Sequence, residues 1–476
     1  MSWLWTCDAL VAATGGRPVG AMPEGVSGIS IDSRSLQPGD AFFAIKGESM
    51  DGHDFISAAM AAGAAVALVA EGKLAALGRL QVPMIVVPDV LNALEKLGVA
   101  ARARTKAKVV AVTGSAGKTS TKEALRHCLG AVGAVHASDK SFNNHWGVPL
   151  TLARMPADAK YAVFEIGMNH PGEIRPLVKM VRPHVALVTL IAAAHLGHFK
   201  DLGEIARAKA EIFEGLSANG AALLNRDDTH WKLLDRLADE AGVKTVVSFG
   251  EHQRSTYRLL DCKLHADHST IAARVGGKEY LARVGAPGRH VVQNALAVLA
   301  VAHLVGAPVP AVAVALADLQ AEAGRGKRYR LKLPRGSFTL IDESYNANPA
   351  SMKAAMSLLK STDVPEKGRR IAVLGDMLEL GAHARKLHAD LAGLIADAGA
   401  DRVFLAGPEM NALAEAMPAD IKVEYRVSAA DLAPLVLDSI RAGDAVVVKS
   451  SKGIGFSKIV DAMLKRFPAD AAEKKI

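Results

Sequence analysis

The run Thr113-Gly114-Ser115-Ala116-Gly117-Lys118-Thr119 carries the sharpest chemical signal in this chain. A glycine-bearing turn between a strand and a helix lets successive main-chain N–H groups converge on phosphate oxygens, and the helix N-terminus adds positive potential. Lys118 would bring a cation to the β- and γ-phosphates, and the Thr119 hydroxyl would serve as a Mg2+ ligand. The spacing is not the common GxxxxGK[ST]: Gly114 precedes Gly117 by three positions, and Val112 takes the first pattern site. The apolar run Val109 to Val112 before the turn favours phosphate binding over a plain structural turn. So does the helical face of Ala124, Leu125, Cys128, Leu129 and Val132 after it.

Phosphate chemistry needs divalent cations, and two positions suit them. Glu165 closes the strand-like YAVFEIG, and His195 follows HVALVTL through IAAA. Both then fall at the C-terminal edge of a parallel sheet, where a nucleotide sits. Taken singly, His195 reads equally as a hydrogen-bonded structural histidine, and Glu165 as half of a buried ion pair. His195 with His198 is too few ligands for zinc. Lys209, in ARAKAEIF, lies on a helix beyond; a bare ammonium cannot bind Mg2+, so a solvated helix face is the plain reading.

The elements that must hold these groups form three stretches of 476 residues. Residues 1–105 alternate GISIDSR, DAFFAIKG, AAVALVA and PMIVVPD with helical AAMAAGA and LNALEKLGVAARAR. Residues 106–325 continue from the phosphate loop through YAVFEIG, HVALVTL, AALLN and KTVVSFG, with helices between, as a largely parallel sheet requires. Residues 326–476 repeat the alternation with FTLIDE, RRIAVLGDM, DRVFLAG and DAVVVKS, a second nucleotide-fold-like unit. The basic GRGKRYRLKLPRG is expected to be the hinge before it, and AAEKKI a frayed tail.

Half the residues are hydrophobic and 22% are charged, which fills several cores and excludes a disordered chain. Cys7, Cys128 and Cys262 lie far apart, which excludes a disulfide scaffold or zinc ribbon and favours a reducing setting. MSWLWTCDAL has no basic stretch leading into an apolar core, so no signal peptide is expected. Val291 to Ala317 lacks Asp, Glu, Lys and Arg, yet Gly306, Pro308 and Pro310 break it. Two alanine-rich helices inside a soluble domain are expected there, with no transmembrane segment. The net charge of +8 suits anionic ligands, but no basic run interleaved with aromatics points to nucleic acid.

The motifs together resemble the Mur ligase family, ATP-dependent amide-forming enzymes of peptidoglycan precursor synthesis. They are TGSAGKT, FNNHWGVPLTL, EIGMNHPGEI, AAAHLGHF, AKAEIF, GRHVVQNALA and DESYNANPASM, and the resemblance covers essentially the whole chain. DESYNANPASM and LGDMLELG look like the member that joins D-alanyl-D-alanine to UDP-N-acetylmuramoyl-tripeptide, releasing ADP and phosphate. The DNPR motif of the diaminopimelate-adding relative is absent.

The resemblance implies a three-domain α/β architecture: a UDP-sugar module (1–105), a central ATP-binding domain with a P-loop-type, mostly parallel sheet (106–325), and a C-terminal Rossmann-like domain (326–476). It implies two Mg2+ ions held through Thr119, Glu165 and His195, with Lys209 as a carbamate formed with CO2. That modification turns the lysine cation into an anionic oxygen ligand. Asn294 falls in the stretch that approaches adenine, and Arg325 and Asp342 where the third domain reaches the nucleotide. Ser33 and Arg34, in SIDSR, would contact the nucleotide-sugar diphosphate, and Asn143 and Asn144 would form a polar substrate wall. Tyr345, Asn346 and Asn348 would present polar groups to the dipeptide or shape the closed interface. Near the C-terminus, VVVKSSKGIGFSKIV puts Ser450 where the family has glycine; Lys449 matches its lysine. A monomeric, cytoplasmic enzyme is expected. The competing classes are a relative adding a single amino acid, a P-loop ATPase acting on a partner, and a non-catalytic UDP-sugar binder.

Overall fold

A computed structural model describes residues 3–77, 81–139 and 141–470; the AAEKKI tail lies outside them. Besides a two-stranded pairing of Trp5–Thr6 with Gly25–Val26, three larger sheets follow one another along the chain. The first has five strands, β1 (Arg17–Val19), β2 (Gly28–Ser30), β3 (Asp40–Phe43), β4 (Val66–Ala70) and β5 (Met84–Val87), in the order β1-β5-β4-β3-β2. Only β1 runs antiparallel to its neighbour in this sheet. Helix α1 (Val90–Arg104) then leads out, started by Asp89, whose side chain accepts from Asn92 N.

The central sheet has nine strands: β6 (Lys108–Thr113), β7 (Val135–Ala137), β8 (Tyr161–Glu165), β9 (Val185–Val188), β10 (Ala221–Asn225), β11 (Thr245–Gly250), β12 (Tyr257–Leu264), β13 (Ser269–Val275) and β14 (Lys278–Val284). Their order is β14-β13-β12-β11-β10-β9-β6-β8-β7. Strand β6 is covered on both faces. Val109 and Ala111 join one apolar cluster with Ile174, Val178 and Ile205, while Val110 and Val112 join another with Leu125, Leu129 and Leu296. That double burial explains why β6 reads as an unbroken apolar run. Because β6 lies between β8 on one side and β9 on the other, with the chain crossing to the edge strand β7 after it, a crevice opens at the carboxyl end of β6. Helices α2 (Lys118–Gly130) and α3 (Leu202–Ala210) flank it.

Val291 to Ala317 forms α4 (Arg289–Leu304) and α5 (Val309–Ala315), separated at Gly306 and Pro308. No helix among the described residues is long and apolar enough to cross a membrane.

The third sheet has β15 (Lys327–Lys332), β16 (Ser337–Glu343), β17 (Arg370–Gly375), β18 (Arg402–Ala406), β19 (Lys422–Arg426) and β20 (Ala445–Lys449), ordered β15-β16-β20-β17-β18-β19. Helix α6 (Pro349–Ser361) packs on it. One cluster continues from the central sheet into this unit, taking in Ile341, Met352, Leu374 and Leu405. The fold is therefore a three-domain α/β architecture with mostly parallel sheets.

One expectation needs correction. The stretch 324–336 is not a hinge: β15 pairs antiparallel with β16 from Lys327↔Asp342 to Lys332↔Ser337. The alternation that reads as a basic linker is a strand with Leu331 buried and Lys332 exposed. The turn into it lies at Gly324 and Gly326, both left-handed (φ 76° and 97°). Also, three strands escaped the sequence reading: β12, β13 and β14 extend the central sheet beyond KTVVSFG as an antiparallel meander.

Candidate active site

The loop after β6 is shaped by its two glycines. Gly114 has φ 146°, and a Cβ there would lie 2.0 Å from Thr189 Oγ1; Gly117 has φ 84° and sits beside Asn294 Oδ1. The end of β9 ties the loop down: Ser115 N donates to Leu190 O (2.6 Å), and Thr189 Oγ1 donates to Ala116 O (2.6 Å). Lys118 opens α2 and folds back, its Nζ donating to Gly114 O at 2.7 Å. Burial pushes its pKa down, Glu165 opposes that, and Arg325 adds to it.

Glu165 ends β8 in register with Val112. Its Oε1 accepts from Asn143 Nδ2 (2.6 Å), while Oε2 is buried without a hydrogen-bond partner among the described residues. An orphaned carboxylate oxygen beside a phosphate loop is a ready position for a cation. His195 sits just past β9 in the left-handed region (φ 59°), with Nδ1 paired to the Glu379 carboxylate. Burial lowers its pKa; Glu379 acts against that, and Lys118 and Lys209 act with it. Lys209, on α3, is 1% exposed, and its side chain makes no hydrogen bond or ion pair among the described residues. Burial, with Lys118 nearby, drives its pKa well below the usual lysine range.

Among the described residues no group of three or more His, Cys, Asp or Glu side chains could hold a metal. Mg2+ asks for less: it keeps several waters and takes one or two carboxylates with substrate phosphates. The Glu165 oxygen and the Thr119 hydroxyl, both on one cavity wall, fit that demand, whereas Lys209 does not line that wall.

Lys118, Glu165 and His195 line a single cavity of about 490 Å3, together with Ser115, Ala116, Gly117, Thr119, Asn143 and Asn294. The third unit closes its other wall with Arg325, Glu343, Tyr345, Asn346, Asn348 and Lys449. The Arg325 guanidinium lies 4.1 Å from the Tyr345 ring centroid, and Tyr345 Oη donates to Ser141 Oγ (2.9 Å).

Three family models match in succession: Mur ligase family, catalytic domain (25–102), Mur ligase middle domain (112–302), and Mur ligase, glutamate ligase domain (324–452). The UDP-N-acetylmuramoyl-tripeptide–D-alanyl-D-alanine ligase of Rickettsia prowazekii is 33% identical over 437 residues, covering 91% of this chain and 94% of that protein. The chain belongs to the Mur ligase family. The Escherichia coli ligase of the same name is 37% identical over 388 residues, covering 82% of this chain and 83% of that one. The crystal structure of MurF from Acinetobacter baumannii superposes with a TM-score of 0.84 at 29% identity, covering 97% of this chain and 99% of that one. MurF from Thermotoga maritima in complex with ADP shares the fold, with a TM-score of 0.75 at 24% identity, covering 92% of this chain and 97% of that one.

Within this Mur ligase several expected site residues stand back from the cavity wall. Thr113 and Gly114 form the floor of the loop, and Asn144 accepts from Gly147 N at the start of a helix. Asp342 is buried and accepts from Gly324 N (2.7 Å) and Ser344 Oγ (2.6 Å), so it holds the turn that carries Arg325. Ser33 and Arg34 are in the first unit and do not line the cavity. Arg34 is exposed, and its Nε and Nη2 pair with both oxygens of Asp32.

Other residues on the wall escaped the sequence reading. Ser141 accepts from both Tyr345 and Arg325 (Nη2, 3.4 Å). His290 and Glu343 line the cavity beside Lys449, whose Nζ donates to Glu343 Oε2 (3.1 Å) and Asn346 O (2.9 Å). Glu379 lay inside the quoted LGDMLELG with no role assigned. A carboxylate in a loop motif carries no signal of its partner.

Proposed function

We propose that this Mur ligase joins D-alanyl-D-alanine to the terminal carboxylate of UDP-N-acetylmuramoyl-tripeptide at the expense of ATP. The observation that carries the reading is the convergence of Lys118, Glu165, His195, Arg325, Asn348 and Lys449 on one cavity built from two units. A carboxylate is a poor electrophile, because an amine would have to expel oxide from it. Moving the γ-phosphoryl group of ATP onto the carboxylate gives an acyl phosphate, whose leaving group is phosphate. The dipeptide amine then attacks the carbonyl carbon, the tetrahedral intermediate expels phosphate, and the amide is left.

Two anions must meet for the first step, so cation density is the main demand. Lys118 and Arg325 supply fixed charge to the phosphates, and the N–H groups of the 114–119 loop bind their oxygens. Bound Mg2+, two ions in this reading, would neutralise the transferring group and hold it in line. Thr119, Glu165 and His195 would hold those ions, joined by Lys209 once its neutral amine has added CO2 and released a proton. Asn294 would face the base. Tyr345 and Asn346 would orient the dipeptide, Asn348 would shape the closed interface, and Asn143 would face the peptide substrate, with Asn144 supporting its loop from behind the wall. Closure of 326–476 on 106–325 keeps water from the acyl phosphate. Residues 1–105 would hold the UDP end, with Ser33 and Arg34 at the diphosphate once Arg34 releases Asp32.

Purified protein given ATP, UDP-N-acetylmuramoyl-tripeptide and either D-alanyl-D-alanine or diaminopimelate tests the reading. Phosphate release is expected with the dipeptide alone; release with the amino acid and not the dipeptide would overturn it.

A further inference from the structure

The central and third units also meet through two loops at the edge of the cavity. Gly197 N donates to Glu379 O (2.8 Å), and a Cβ on Gly381 would lie 2.8 Å from Gly197 Cα. Both positions are glycine where two backbones touch. Among the described residues only Arg182, His195 and Glu379 are non-glycine residues with positive φ, and two of these three face each other here (59° and 65°). A left-handed backbone costs each of them about 1–2 kcal/mol, and such strain concentrates where geometry serves function. Its result is that His195 Nδ1 meets the Glu379 carboxylate across the boundary between units. The Glu379 loop is itself anchored: Leu378 N donates to Ser451 Oγ (2.9 Å), and Ser451 N to Asp376 O (3.0 Å).

We infer that Glu379 is a positioning residue: by accepting the Nδ1 proton of His195 from the opposite unit, it fixes the ring so that Nε2 is the atom offered to a divalent cation. The inference rests on His195 being a cation ligand, as proposed above. Ligating histidines are commonly held in this way by a carboxylate on the other ring nitrogen, which sets the tautomer and the ring plane. Here the carboxylate comes from the unit that closes. Cation binding and closure therefore favour one another, and by linkage each strengthens the other by the same factor. With the third unit swung away, the ring would lose its orientation and the cation site would be incomplete.

The test uses full-length wild type, Glu379→Ala, Glu379→Gln and His195→Ala, each with ADP. Mn2+ binding is read by electron paramagnetic resonance, and compaction by small-angle scattering across the same Mn2+ titration. Glu379→Ala should weaken Mn2+ binding about tenfold and move the compaction midpoint by the same factor. Glu379→Gln, which can still accept through its amide oxygen, should lose less. The Glu379 side chain is 45% exposed, so both variants should keep the wild-type melting temperature. Wild-type Mn2+ affinity in Glu379→Ala would overturn the inference, whether or not closure changed. If His195→Ala binds Mn2+ less tightly while Glu379→Ala does not, the inference alone fails. If His195→Ala also binds like wild type, the reading of His195 as a ligand fails with it.

Discussion

Asn348 and Ser115 join the two walls of the cavity: Asn348 Nδ2 donates to the main-chain oxygen of Ser115, 3.3 Å away, across 233 positions of sequence. The same side chain caps α6, its Oδ1 accepting from Ser351 N at 2.9 Å. One asparagine thus starts a helix in the third unit and clasps the phosphate loop of the second. Asn348→Asp separates the two roles, because aspartate keeps the cap and loses the donor. The melting temperature should stay within a degree or two of wild type, while KM for ATP rises about tenfold. Steady-state kinetics beside a thermal melt checks it.

Lys118 Nζ donates to Gly114 O at the mouth of the phosphate loop. Lys118→Ala should lower kcat about 10^3-fold, the scale for removing one preorganised donor to developing charge. Affinity for the UDP-linked substrate, assigned to the first unit, should stay within about twofold in calorimetry.

How much of this was legible in the sequence depended on how local each signal is. Val109–Val112, the glycines at 114 and 117 and the face of Leu125 and Leu129 lie within twenty residues, and they dictate strand, turn and helix by themselves. The meander of β12–β14 was harder to see, because its solvent-facing positions, such as Asp261 and Lys263, interrupt the apolar run. The hinge reading of 324–336 failed because basic residues on an edge strand resemble a linker until the partner strand is known. Ser141 and Glu379 were out of reach for a further reason. Their partners Tyr345 and His195 lie 204 and 184 positions away, and nothing in a serine or a glutamate announces a contact at that distance.

Lys209 is a buried amine with no ion pair among the described residues, and burial, with Lys118 nearby, lowers its pKa. The carbamate proposed above forms when the neutral amine adds CO2 and releases a proton. Activity in CO2-depleted buffer should fall and return on adding bicarbonate, and 13C-bicarbonate should give a carbamate resonance that Lys209→Met lacks. A spectrum unchanged by that substitution would count against the assignment.

In the first unit Asp51 accepts from His53 N (3.0 Å) and pairs with Lys73 (2.8 Å). Burial alone would raise its pKa, but the Lys73 and His53 bonds outweigh it and hold the carboxyl well below the usual range. A carboxyl depressed on folding contributes stability above its unfolded pKa of about 4, and that stability is lost as pH falls through the folded value. Asp51→Asn should therefore cost about 1 kcal/mol at pH 7, with the gap closing as pH falls from the unfolded pKa through the lowered folded one. Hydrogen exchange in peptides covering β4, where Ala70 N donates to His53 Nε2, reads it.

The most direct test of the account follows one oxygen atom. UDP-N-acetylmuramoyl-tripeptide labelled with 18O in its terminal carboxylate is turned over with ATP and D-alanyl-D-alanine, and the released phosphate is analysed by mass spectrometry. Transfer through an acyl phosphate predicts one 18O in each phosphate formed. Unlabelled phosphate accompanying amide formation would contradict it, because ATP would then have been hydrolysed without activating the carboxylate.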